Sequence, residues 1–499
     1  MLTSLTLAAL LAFPADSILL RVLTINDFHG ALEARGYPWS NGRPIGGIAA
    51  VKGMMDSLAA ECRCPSIRLD AGDQLQGTLT SNLVAGRSAV EAMNLLGLTA
   101  AAIGNHELDW GVDTLIARIG EARYPWLAAN IIDTATGGRP AWSRPYAIVR
   151  AGPYSIGVVG YITPATKTIV MDRHVRGLRF PEGLASMTQA LADVKAAGPD
   201  LTILVTHSGA FCDSLACAGE IIDLARQTDS TAFDLIVAGH THTLLNTVVN
   251  GIPIVSARAN GTAVGIADLV RSPDGGRRWR VRVESVYADA VRPDSAGVAL
   301  VDRYRPLIGR LAGQVVARLR DTLLVERGEY PIGNLIADAQ RAAAPADFGL
   351  MNNGGIRRAL LPGPVTYADL FELQPFGNNV VRLSIPGREL KRVLEHSLQD
   401  GAPNAHISGL KVRYDPTRPA GDQVVEIRKL DGTRIDPRRI YVLALADFLA
   451  GGGGGYAMLR QYRQVRTGKT DLEAMIAWLQ RMRQPIRAPT GKRWIAVAK

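Results

Sequence analysis

Residues 23–30 read LTINDFHG, and they close an apolar run, 18–25, with the sequence ILLRVLTI. A near-continuous apolar run of this length is a strand covered on both faces, the kind found in parallel sheets packed between helices. Asp27 and His29 follow it directly. The same arrangement repeats down the chain. An apolar segment at 67–69 leads into DAGDQLQGT (70–78), one at 100–103 into GNHELDWG (104–111), one at 201–205 into THS (206–208), and one at 235–237 into GHTH (239–242). Further strands are expected at 156–161 and 254–255, with amphipathic helices at 48–60, 89–96 and 184–196. Strands alternating with helices predict a layered α/β architecture. In open α/β sheets, ligand groups gather at the carboxyl ends of strands. These side chains are therefore expected to meet although residues 27 and 242 are far apart in sequence.

Five of the eight histidines lie in these segments: His29, His106, His207, His240 and His242. Any one alone would be read as structural. With Asp27, Asp73 and Asn105 they make a mixed carboxylate, amide and imidazole set. That set suits divalent ions such as Zn, Mn, Co or Fe. Asp-x-His and His-x-His spacing puts both ligands on one side of an extended segment, because side chains alternate with period two. Asp73 is the natural bridge. Two ions roughly 3.5–4 Å apart clamp a phosphoryl group and lower the pKa of the water between them. The expectation is a dinuclear metal site.

The 499 residues are 47% hydrophobic, with Gly 51 and Pro 27, which argues against disorder, collagen and a disulfide-dense miniprotein and suits more than one domain. Lys+Arg 56 against Asp+Glu 46 gives +10 without a long basic run. That balance fits a small anionic substrate better than a nucleic-acid polymer. No internal run is long enough to span a membrane. Residues 1–17 read as a secretion signal: 1–13 are uncharged and mostly apolar, and Ala15 and Ser17 offer a small-x-small cleavage pattern, although the basic start is missing. The alternative is a lead-in to the first buried strand. Cysteines fall in two close pairs, Cys62/Cys64 and Cys212/Cys217. Cys212 and Cys217 could close a small loop, and Cys62 and Cys64 could bridge only with strained geometry. Disulfides fit an exported protein; free core thiols are the alternative.

The order D-x-H, G-D, G-N-H-E, H, G-H-x-H resembles the calcineurin-like metallophosphoesterases. LTINDFHG, DAGDQLQGT and GNHELDWG are similar to the 5′-nucleotidase family of exported enzymes. The resemblance continues in NNGGIR (352–357), TYADLFELQPFGN (366–378) and DFLAGGGGGY (447–456), so it covers nearly the whole chain after residue 18. It implies a four-layer α/β/β/α metallophosphoesterase domain over 18–290, a linker helix over 291–325, and a smaller α+β nucleotide-recognition domain over 326–499. It implies one ion held by Asp27, His29, Asp73 and His242, and a second by Asp73, Asn105, His207 and His240. His106 would be the catalytic histidine, and Asp109 would orient it and favour its cation. A carboxylate-braced imidazolium can protonate or stabilise a leaving oxygen. Glu107 is the alternative acid. Phe376 and Phe448 would sandwich a nucleobase, and Asn352 and Arg357 would contact base and phosphate, the guanidinium fork being suited to the latter.

Two positions depart from the family pattern. Gly454 stands where an aspartate that binds ribose hydroxyls is usual, and Gly328 stands where an arginine is usual, with Arg327 beside it as a candidate substitute. From about residue 326 the texture changes, with strands expected at 380–385 and 441–444 and helices at 333–343 and 387–398. Before it, 296–320 reads as a helix interrupted at Pro306. The expected activity is hydrolysis of phosphate esters of nucleotides by hydroxide attack on phosphorus, extending to sugar nucleotides or 2′,3′-cyclic nucleotides, in the periplasm or outside the cell. The alternatives are a thiosulfohydrolase on the same scaffold and a catalytically inactive ligand-binding protein. The complete ligand set argues against the last. Oligomeric state is left open.

Overall fold

The run at 18–25 forms the strand Ile18–Ile25, with Leu20 and Val22 buried on one face and Leu23 and Ile25 on the other. The computed structural model that shows this describes residues 17–497 apart from 214–215, 273–274 and 399–400. Residues 1–16 of the expected signal segment lie outside the described residues. Ile18–Ile25 sits inside a six-stranded sheet ordered Arg277–Ser285, Ala263–Arg271, Ile18–Ile25, Ser66–Asp70, Ala100–Ala102 and Trp126–Leu127. The last four run parallel, and the first two join as antiparallel neighbours. A second six-stranded sheet is ordered Leu244–Val249, Ile252–Ala257, Leu235–Ala238, Leu201–His207, Tyr154–Ile162 and Tyr146–Ala151. Its four central strands are parallel.

The two sheets face each other through Leu20, Val22 and Leu69 on one side and Val158, Ile203, Val205 and Val237 on the other. Helices Ile48–Cys62, Arg87–Leu96 and Val112–Glu121 cover the outer face of the first sheet through Val51, Met93 and Leu115. Thr188–Ala197 and Glu220–Gln227 cover the second through Val194 and Leu224. The result is four layers, helix, sheet, sheet, helix. Burial on both faces explains why the central strands read as continuous apolar runs instead of alternating. It also fixes the metal-ligand segments, because each begins where a buried strand ends.

The connector is the helix Ser295–Ala312, started by Asp294, whose side chain accepts from the Gly297 N–H at 2.8 Å. The expected interruption at Pro306 falls instead at Gly309, whose backbone takes φ 51°, ψ −151°. Proline loses a hydrogen bond but keeps a helical φ, whereas glycine is free to adopt positive φ. The rest of the stretch is the strand Val315–Leu319, paired with Gly363–Thr366. Beyond it a five-stranded sheet is ordered Ala405–Ser408, Phe348–Asn352, Ile440–Ala446, Asn379–Pro386 and Val465–Thr470. Helices Pro331–Ala343 and Asp471–Arg481 pack on one face and Gly387–His396 on the other. The sheet mixes parallel and antiparallel pairs, as an α+β unit does. Cys62 bonds to Cys64 and Cys212 to Cys217, with Cα–Cα distances of 5.1 and 4.0 Å. Arg63 makes the first closure with a left-handed φ of 52°.

Candidate active site

Asp27, His29, Asp73, His240 and His242 all have positive φ, from 50° to 76°. Eleven described non-glycine residues do so, and nearly half are candidate ligands. The expectation of extended Asp-x-His and His-x-His segments is therefore corrected. The chain leaves each strand and kinks at the ligand itself, which turns the side chain into the gap between the two sheets' carboxyl ends. A left-handed L-residue costs about 1–2 kcal/mol. Strain concentrated in this way marks a functional site.

Two donor groups result. Asp27, His29 and His242 form one, and Asp73, His207 and His240 the other, with the donor atoms of each within 4.8 Å of one another. In the first, His29 Nδ1 lies 2.7 Å from the Gln76 carbonyl, so it carries the proton and leaves the Nε2 lone pair facing His242 Nε2 at 2.9 Å. His242 Nε2 lies 3.3 Å from Asp27 Oδ1. In the second, His207 Nδ1 donates to the Ala71 carbonyl at 2.9 Å. Its Nε2 faces Asp73 Oδ2 at 2.9 Å, Asn105 Oδ1 at 3.1 Å and His240 Nδ1 at 3.2 Å. Acceptor atoms that converge this closely need a proton or a cation between them. Burial opposes charge on His207, yet Asp73 outweighs it and pushes the pKa up to about 10. Burial and then the charge on His207 push His240 down to about 3. The geometry thus calls for positive charge among these atoms, and the oxygen and nitrogen donors fit divalent ions.

His106 belongs to neither group. Its Nδ1 lies 2.6 Å from Asp109 Oδ2, and its Nε2 lies 3.8 Å from Asp73 Oδ2. Burial lowers its pKa, but Asp109 and then Asp73 overcome this and raise it above the ordinary histidine value. Glu107 is fully buried and committed elsewhere. Its carboxylate accepts from the backbone N–H groups of Gly104 (2.6 Å), Gln74 (2.7 Å), Asp73 (2.9 Å) and Leu75 (3.3 Å). The alternative acid of the sequence reading is thereby a clamp between the loops that carry Asp73 and Asn105.

The C-terminal half closes the site from above. Arg357 places Nη2 3.3 Å from His242 Nε2. Phe376 stacks on His106 with ring centroids 5.6 Å apart and 22° between planes. The Pro375 carbonyl accepts from Gln76 Nε2 at 3.0 Å and Asn82 Nδ2 at 2.9 Å, which ties this loop to the metal side. A cavity of about 540 Å³ lies between the halves, lined by Asp73, Asn105, His106, Asp109 and His240 below and by Asn352, Arg357, Phe376 and Phe448 above. Every residue expected to touch substrate therefore lines one space. Arg327, the candidate substitute at the Gly328 departure, is exposed and not part of that lining.

Residues 20–244 match the family described as calcineurin-like phosphoesterase, and residues 308–461 match the 5′-nucleotidase, C-terminal domain. The chain belongs to the 5′-nucleotidase family. Its fold and site are those of a metal-dependent phosphoric ester hydrolase. A 5′-nucleotidase precursor from Thermus thermophilus superposes with a TM-score of 0.87 at 28% identity, covering 96% of this chain and 99% of that one. The snake venom 5′-nucleotidase of Gloydius brevicauda is 28% identical over 97% of this chain and 90% of its own length. The endonuclease YhcR of Bacillus subtilis is 29% identical over 95% of this chain, which spans only 40% of that relative.

Several residues of this family member had no signal in the sequence. Asn26 holds the Asp27 carboxylate through Nδ2 at 2.7 Å and the Arg258 carbonyl at 2.5 Å. His174 and Arg173 line the cavity of about 540 Å³ from the metal side. His396 bonds the Gly454 carbonyl through Nε2 at 2.9 Å. His406 is buried edge-on against Tyr330 and serves packing. Neither spacing nor residue type singles these out, because each acts through a partner distant in sequence.

Proposed function

We propose that this protein hydrolyses phosphate esters of nucleotides, nucleoside 5′-monophosphates first, with sugar nucleotides and 2′,3′-cyclic nucleotides as further substrates. The observation that supports this best is the shared cavity: Asp73 and His240 of one metal-donor group on its floor beside Asn105 and His106, and Arg357, which reaches His242 of the other group, with two phenylalanines on its roof. Asp27, His29, Asp73 and His242 would hold one divalent ion, and Asp73, Asn105, His207 and His240 the other. When bound, such ions act as Lewis acids toward phosphoryl oxygens and lower the pKa of water.

The side chains do the rest. Arg357, half-buried beside His242, offers a fixed fork to the phosphoryl oxygens. Phe376 and Phe448 receive the base, and aromatic stacking is tolerant of base identity. In this arrangement the leaving 5′-oxygen faces His106. His106, braced by Asp109 and stacked on Phe376, gives that oxygen a proton or stabilises its charge. No covalent intermediate on the chain is required. Both disulfides support an oxidising compartment, so export to the periplasm or beyond is part of the reading. No helix among the described residues is long and apolar enough to cross a membrane.

The test is turnover by purified protein loaded with Mn, Co or Zn, offered AMP, UDP-glucose, 2′,3′-cyclic AMP and 4-nitrophenyl phosphate. Two bound ions without turnover of any of the four would reject the proposal.

A further inference from the structure

Beside the substrate cavity lies a second one, of about 180 Å³, and the two share Met171, Arg173, Asp447 and Phe448 as walls. Five cations line it: Lys167, Arg173 and Arg176 from the metal-side half, and Arg460 and Arg466 from the other. Two carboxylates accompany them. Asp172 pairs with Lys167 at 3.4 Å and Arg176 at 3.5 Å, and Asp447 accepts both the backbone and side-chain N–H of Asn379. Among the described residues, Arg173, Arg460 and Arg466 have no ion-pair partner. The floor is Gly451, Gly452 and Gly453. Positive charge this dense in a concave site between two halves focuses potential on an anion.

The neighbouring residue completes the argument. Gly454 lines the substrate cavity, where the family resemblance puts an aspartate that binds ribose hydroxyls. The glycine loop lies against the Phe448 ring, which a Cβ added at Gly453 would run into, so a nucleotide with its 5′-phosphate at the histidines and its base against Phe448 would carry its ribose hydroxyls beside this loop. Here the loop carries no carboxylate, and the arginine-lined cavity opens beside it. A carboxylate at 454 would repel a phosphate on the 3′-oxygen; glycine admits one. We propose that this cavity is an anion subsite for a phosphate carried on the ribose 3′-oxygen, making nucleotides of the 3′,5′-bisphosphate type, or 5′-phosphorylated ends of short oligonucleotides, preferred substrates. The inference rests on the nucleotidase reading above and names its substrate class.

The experiment compares kcat/KM of the metal-loaded full-length chain for AMP, adenosine 3′,5′-bisphosphate and the 5′-phosphorylated dinucleotide pApA. A charge-assisted contact to the extra phosphate should favour the bisphosphate over AMP by about tenfold, and that ratio should fall as salt is added. Arg466 is exposed, so Arg466→Glu should fold normally and collapse the ratio. Gly454→Asp should invert it. Position 454 has φ 61° and ψ 21°, which aspartate tolerates, and the nearest atoms to an added Cβ would be those of Leu449 and Tyr456, at an ordinary 3.7 Å. A readout independent of turnover is calorimetric binding of adenosine 3′-monophosphate to metal-free protein, expected to be tighter than adenosine and weakened by Arg466→Glu. A preference shared by pApA assigns the phosphate to a continuing strand, and one confined to the bisphosphate assigns it to a monoester. AMP hydrolysis with no gain from the bisphosphate overturns the inference and leaves the nucleotidase reading intact. Failure to hydrolyse any 5′-phosphate overturns both.

Discussion

His106→Ala should separate chemistry from metal binding. The ring sits outside both donor groups, its Nδ1 is taken by Asp109 at 2.6 Å, and its Nε2 points toward Asp73 across 3.8 Å. Removing it leaves every proposed metal donor in place. The truncation strips Asp109 of its partner, and losing one partner of a part-buried, charge-assisted bond costs about 1 kcal/mol or more of stability. It also removes a positioned proton donor, an effect of about 10²–10⁴ in rate, equivalent to about 2.7–5.4 kcal/mol of barrier. The assay has three parts: metal stoichiometry by elemental mass spectrometry, kcat for AMP, and kcat for 4-nitrophenyl phosphate. A nitrophenolate leaves as a stable anion and needs little help from an acid. The loss on AMP should therefore exceed the loss on the nitrophenyl ester by at least about tenfold. An equal loss on both substrates would refute the leaving-group role. Loss of bound metal would show that His106 is a ligand.

Asp109→Asn should move the alkaline limb of kcat/KM toward acid. His106 is raised above the ordinary histidine value, so its cation is present below that pKa and lost as pH rises through it; removing a carboxylate that supports the cation brings the loss to lower pH. An unmoved limb measured on AMP would show that another group titrates. Glu107→Gln should weaken metal binding about 10–100-fold, because an amide cannot accept all four backbone N–H groups that fix the two loops. Competition with a chelator measures this, and normal affinity with lost turnover would restore Glu107 as the acid. Asp73→Ala should remove about half or more of the bound metal, since Asp73 Oδ2 lies 2.9 Å from His207 Nε2 in one donor group and its charge also acts on His29 of the other; full occupancy by elemental analysis would reject its bridging role.

The motif segments were legible because their information is local. A strand buried on both faces writes itself as an apolar run, and the ligand types follow it immediately, as in Ile18–Ile25 with Asp27 and His29. Glu107 shows the limit. In sequence it is an acid beside a histidine, an alternative to that histidine for proton transfer. Its partners are main-chain groups of residues 73–75 and 104, and no side-chain pattern encodes those.

The sequence alone determined the layered α/β class, the donor types and the two departures at Gly328 and Gly454. Tertiary structure decided how those donors are presented. Local spacing pointed to extended ligand segments, but the sheets' carboxyl ends impose left-handed backbone at five ligands, a cost that only the surrounding packing can sustain. Tertiary structure also decided that Arg357 reaches His242, and that arginines from both halves meet beside Gly454. These pairings join residues more than a hundred positions apart, and such contacts follow from how the two halves pack, which residue order does not record.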